Sequence, residues 1–225
     1  MMDLKIQHLK LLVDARQTLL NGKNANTARL NYLRRKGNIS EEGANFLQEQ
    51  GIEPFEEPLS KFRVKIIDIL NFIPVYQDYL KDISGVSAFD CANLIILVED
   101  IERFGYLNQF KSYCGVTPVV ECHGRVHKMR KGVDYSDCII IGDERAKIKS
   151  VSYNERIKIL MSKIINQLIK YNEDYMDAYN VLWEQERVKA SNITKKHVNN
   201  RVKRKLAQKF LKEFYIQWKE LNKGV

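Results

Sequence analysis

Ile83-Ser84-Gly85-Val86-Ser87, then Ala88-Phe89-Asp90, an apolar run to Phe104 and Cys114-Gly115-Val116-Thr117-Pro118: this stretch organises the rest of the chain. The segment 83–87 is too short for anything but a tight turn, and Gly85 supplies a residue that adopts positive φ without steric cost. Ser87 is placed as an N-cap, and Asp90 stands three residues on, in a capping-box position. The pattern predicts a helix-hairpin-helix whose second helix runs through Phe104. The first N–H groups of such a helix, with the positive end of its dipole, attract anions. Ser84, Gly85, Val86 and Ser87 are therefore candidate contacts for nucleic-acid phosphates. The plainer alternative is an ordinary αα-turn inside a helical bundle.

Charge weighs between these readings. The 225-residue chain has a formal charge of +9. Between Arg187 and Lys212 there are ten Lys or Arg and no acid, so this one segment outweighs the net total. A second basic block is Arg34-Arg35-Lys36, and a third runs from Arg125 to Lys131 with His123 and His127 interleaved. Clustered positive charge without acids repels itself unless an anion sits nearby. Arg125, Lys128, Arg130 and Lys131, with Arg201, Lys203, Arg204, Lys205 and Lys209, are the candidate phosphate contacts. A solvated basic face kept for solubility is the alternative.

Outward from the turn, apolar periodicity predicts a mainly α chain. A long helix spans 3–36, with Leu4, Leu11, Leu12, Ala15, Leu19, Leu30 and Leu33 on its apolar side and a weak point at Gly22 and the Asn-rich 21–26. A short helix follows Ser40 to about Gln50, then a loop at 53–58. A further helix covers 59–82, kinked or split at Pro74. These elements form a long helical hairpin or coiled coil over 1–82, and 83–225 is a second, helix-hairpin-helix-containing domain. In the latter, 138–151 can form a small β-hairpin, and helices are predicted at 153–171, 173–189 and 194–222. The last carries Val198, Val202, Leu206, Phe210, Phe214, Trp218 and Leu221 on one side and its cations alongside.

No apolar run approaches the length of a membrane span, and the first residues lack a signal pattern, so a cytoplasmic protein is expected. Cys91, Cys114, Cys122 and Cys138 are then most simply free thiols. A zinc site from Cys114, Cys122, His127 and Cys138 matches no standard spacing, so no metal and no cofactor are expected.

Taken in order, these residues resemble the RNA-guided insertion-sequence transposases that include the Piv-type DNA invertases. Ile83-Ser84-Gly85-Val86 is similar to that family's Ile-Pro-Gly-Ile turn. Glu99-Asp100-Ile101-Glu102-Arg103-Phe104 and Phe110 through Pro118 are similar to its next block, and His197 through Trp218 to the basic terminal helix of archaeal-type members. Leu11 through Arg34 looks like the helix after the family's nuclease domain. The resemblance implies DNA or structured RNA as partner, and a RuvC-like nuclease domain with metal-binding acids ahead of this segment; nothing in 1–82 reads as such a sheet. It also implies a nucleophilic serine shortly after the proline. Counting from Pro118, that position falls on His123, beside Cys122 and before Gly124. Histidine cannot form the serine ester with a DNA phosphate, whereas Cys122 is a nucleophile in principle. The expectation is a nucleic-acid-binding protein derived from a transposase and not competent for transposition alone. The alternatives are the C-terminal half of a split recombinase, with Cys122, Ser112 or Tyr113 as nucleophile, and a regulator that pairs with itself or with a full-length transposase through its long helices.

Overall fold

A computed structural model describes residues 2–116, 138–141, 145–148, 153–189 and 194–223. The chain is mainly α. Helix α1 (Met2–Lys36) packs antiparallel to α3 (Glu56–Leu70), with α2 (Glu41–Gly51) folded back at the far end. The direction of the pair follows from its contacts: Lys5 Nζ donates to the Phe72 carbonyl near one end, and Lys23 pairs with Glu56 at 2.9 Å towards the other. Helix α4 (Pro74–Gln77) and a 3-10 turn (Leu80–Asp82) lead to α5 (Ala88–Val98), a second 3-10 turn (Ile101–Arg103) and α6 (Leu107–Tyr113). A two-stranded antiparallel pair, β1 (Cys138–Ile141) and β2 (Arg145–Ile148), precedes α7 (Glu155–Tyr171), α8 (Glu173–Lys189) and α9 (Lys195–Lys223).

Several local expectations change. Helix α1 runs unbroken through Gly22, because that glycine lets the Phe55 ring approach: a Cβ there would lie 3.1 Å from Phe55 Cε1. Asn26 Nδ2 donates to the Gly51 carbonyl at 2.6 Å, so the Asn-rich stretch is used for tertiary contact and not for a break. The apolar side of α1 also differs. Leu4 and Leu11 are 72% and 69% exposed, while Ile6, Leu9 and Val13 are buried. The segment predicted as a loop at 53–58 is a 3-10 turn (Glu53–Phe55) continuing into α3; Pro54 and Pro58 sit in first turns, where a missing N–H costs nothing. Pro74 splits the predicted 59–82 helix by occupying the first turn of α4 after Ile73. Helix α5 stops at Val98, short of Phe104, where Glu99 takes a φ of 61° and Asp100 accepts from Glu102 N to start the 3-10 turn.

The main core runs across the 82/83 division. Ile6, Leu9 and Val13 of α1 join Ile66 and Leu70 of α3, the buried side of α5, and α7 to α9. In α7, Ile157, Leu160, Met161, Ile164, Ile165 and Leu168 are all buried, as their spacing predicts. The stripe on α9 is buried from Val198 to Trp218 and carries an aromatic ladder, with Phe214 at 5.2 Å from Trp218 and 6.1 Å from Phe110 between ring centroids. Tyr215 Oη donates to the Phe104 carbonyl and Lys219 pairs with Glu102 at 2.6 Å, fixing α9 to the α5–α6 connection. A separate small cluster, Leu30, Ala44 and Ile52, holds the end of α1 to α2.

Cys91 and Cys114 are free thiols in the core. Burial, and then the charge of Asp90, pushes Cys91 up to about 12; burial raises Cys114 as well, against the opposing effect of Arg103. Neither is expected to react with iodoacetamide at pH 8 in the native protein, and both label after unfolding, as peptide mass spectrometry reads directly. Because the folded chain keeps the Cys91 proton beyond the ordinary value of 9.0, the unfolded chain loses it first. Stability from this group is present below about pH 9 and declines as pH rises from there.

Candidate nucleic-acid interface

The turn at 83–87 is closed by Val86 N donating to the Ile83 carbonyl at 3.2 Å. Gly85 has a φ of 94°, and a Cβ there would lie 2.9 Å from the backbone oxygen of Gln167. The turn is thus seated directly on α7, with Ser84 and Ser87 exposed and Gly85 and Val86 half-buried. Ser87 is the N-cap of α5: its Oγ accepts from Asp90 N at 3.2 Å and donates to Asp90 Oδ2 at 2.7 Å.

Asp90 is 3% exposed, and its other oxygen takes Lys163 Nζ at 2.6 Å. The helix's own acid therefore meets part of its dipole, and the lysine of α7 neutralises that acid. Ala88 and Phe89 contribute the first-turn amides that have no intrahelical acceptor. Arg16 of α1 lies over the Phe89 ring at 4.3 Å. Burial, and then the nearby charge of Arg63, holds the Arg16 guanidinium below its usual value. Arg16, with Arg63 near it, thus brings positive charge to the start of α5, while the charge of Lys163 is matched by Asp90; sequence spacing gave no sign of this gathering.

The cations of α9 divide. Lys205 Nζ pairs with Glu186 Oε1 at 2.6 Å and Arg201 with Glu186 Oε2 at 3.7 Å, where Glu186 is 6% exposed. Lys209 lies over the Tyr175 ring at 5.0 Å. Those three stabilise the α8–α9 packing, while Lys203 and Arg204 make no ion pair among the described residues. Arg34, Arg35 and Lys36 are exposed in the last turn of α1.

Arg125, Lys128, Arg130 and Lys131, together with Cys122 and His123, lie outside the described residues, as do Cys122 and His127 of the zinc reading and the Cys138 side chain. Among the described residues, no cluster of His, Cys, Asp or Glu is arranged to hold a metal, and no helix is long and apolar enough to cross a membrane. Tyr113, an alternative nucleophile, has a structural hydroxyl: it donates to the Leu97 carbonyl at 3.1 Å and accepts from Asn154 Nδ2 at 3.0 Å. Its ring also carries the Arg103 guanidinium at 4.5 Å.

Residues 77–135, about a quarter of the chain, match the model of the transposase IS116/IS110/IS902 family. The matched segment takes in the turn, α5 and α6. No curated protein matches the chain.

Proposed function

We propose that the protein binds nucleic acid through its phosphate backbone as a transposase-derived protein, with the turn at 84–87 and the basic blocks as contacts. The observation that carries this reading is the capped start of α5, inside the segment that matches the transposase family, with Arg16 over Phe89 and Arg63 near Arg16. Ser84 and Ser87 supply exposed polar groups, the backbone of Gly85 and Val86 supplies close approach, and Ala88 and Phe89 supply amide donors. Lys203 and Arg204 of α9, the Arg34–Lys36 block and the Arg125–Lys131 segment supply further charge. The reading is binding and not strand transfer by this chain alone because His123 stands where the resemblance places the nucleophilic serine.

Backbone recognition makes affinity fall steeply with salt. Duplex DNA and structured RNA are both expected to bind at ~50 mM salt and to weaken sharply by ~200 mM. Undetectable binding to both at the lower salt would falsify the proposal. Within it, Lys203→Ala with Arg204→Ala is expected to flatten the plot of log affinity against log salt by about 2, roughly one unit per lost phosphate contact. Fluorescence anisotropy over a salt series reads that slope.

A further inference from the structure

Between α1, α5 and α7 lies a cleft of about 370 Å³, within the roughly 300–1,000 Å³ range of small-ligand sites. Val13, Phe89, Ile96, Leu97 and Leu160 give it an apolar floor. Its charged rim is largely settled internally: Asp90 is paired with Lys163, and Glu99 with Arg103 at 3.5 Å. Lys10 of α1 and Arg156 of α7 stand on opposite walls and have no ion pair or hydrogen bond from their side chains among the described residues. Two acceptors are also open. Asn93 commits its Nδ2 to the Phe89 carbonyl at 2.8 Å, which leaves Oδ1 for a ligand, and Asp14 makes no ion pair among the described residues.

An apolar floor, two free cations on facing walls and two free acceptors match one ligand chemistry: a flat base with an exocyclic amine, attached to a phosphate. We infer that this cleft takes up one unpaired, amino-bearing nucleotide of a bound strand, with Lys10 and Arg156 holding its phosphates and Asp14 and Asn93 accepting from the base amine. The inference rests on the nucleic-acid reading above and deepens it, since the cleft opens beside Phe89 and Asp90 at the start of α5. Uracil has no exocyclic amine: its single N3–H is flanked by two carbonyl oxygens, so it can meet one of the two acceptors only by setting a carbonyl against the other, and it is disfavoured.

The test compares fully paired duplexes with duplexes carrying a single bulged 2-aminopurine, adenine or uracil, as DNA and as RNA in separate arms. The bulged adenine and 2-aminopurine duplexes are expected to bind about tenfold more tightly than the paired one, the order of a single buried base. The uracil bulge gains little, and 2-aminopurine emission changes on binding. Ile159 lines the mouth of the cleft from a 65% exposed position. Ile159→Trp therefore fills the cleft without disturbing the core, and abolishes the bulge preference while leaving paired-duplex affinity in place. Asp14→Ala narrows the difference between adenine and uracil. Equal affinity for bulged and paired duplexes, or a preference that Ile159→Trp leaves intact, overturns the inference while the phosphate-binding reading stands; no binding to any duplex overturns both.

Discussion

Replacing Gly85 with alanine is expected to destabilise the protein by about 2–4 kcal/mol, the sum of a left-handed backbone and a collision. The backbone part arises because a φ of 94° is one that residues with a Cβ rarely adopt. The collision is specific: the new Cβ meets Gln167 O at 2.9 Å and Tyr171 Cβ at 3.3 Å, so either the turn or α7 must move. Gly37 separates the two parts. It also has a positive φ, of 66°, but nothing lies within 4 Å of where its Cβ would be. Gly37→Ala should cost about 1–2 kcal/mol, the backbone part alone. Urea unfolding midpoints of the two variants give the difference. Equal losses would show that the turn does not bear on α7 as closely as described. Because the same displacement moves the amides of Ala88 and Phe89, Gly85→Ala is also expected to weaken nucleic-acid binding, which Gly37→Ala should not.

The second large effect belongs to the aromatic ladder of α9. Phe214 is fully buried between Phe110, Phe210 and Trp218, with ring centroids 6.1, 6.3 and 5.2 Å away. Phe214→Ala removes that contact area and leaves a cavity that three rings cannot all relax to fill, so a loss of about 3–5 kcal/mol is expected. In a chain of this size that corresponds to roughly 10 °C in Tm. Leu4→Ala is the comparison: as an exposed leucine it should shift stability by no more than about 0.5 kcal/mol. Calorimetry of both variants checks the contrast. A Phe214→Ala protein that melts with the parent would mean that α9 is not docked as described.

Sequence periodicity was a good guide wherever one face of a helix is apolar and the other charged. The buried side of α7, and that of α9 from Val198 to Trp218, emerged for that reason, although Ala207 and Leu211 of α9 were missed and Leu221 is only half-buried; Ser87 with Asp90 was legible because a cap is a local arrangement. Helix α1 was not readable in the same way. It carries apolar residues around much of its circumference, and only the positions of α3 and α5 select Ile6, Leu9 and Val13 over Leu4 and Leu11. Gly22 looked like a break because its purpose, room for Phe55, lies thirty-three residues downstream. The candidate site divides along the same line. The turn and the basic blocks could be named from spacing, but the commitment of Arg201 and Lys205 to Glu186, or the gathering of Arg16 and Arg63, depends on which helices become neighbours.

The uninterrupted course of α1 has a mechanical consequence. Arg16 stands over Phe89 at the start of α5, and Arg34 to Lys36 lie on the same helix. At a rise of 1.5 Å per residue, the nineteen residues from Arg16 to Arg35 set a spacing of about 28 Å. A broken or hinged helix would let that interval vary; a continuous helix anchored in the core at one end and clasped by α2 at the other holds it nearly constant. The helix is in effect a ruler, graduated at two positive marks about eight base pairs of duplex apart.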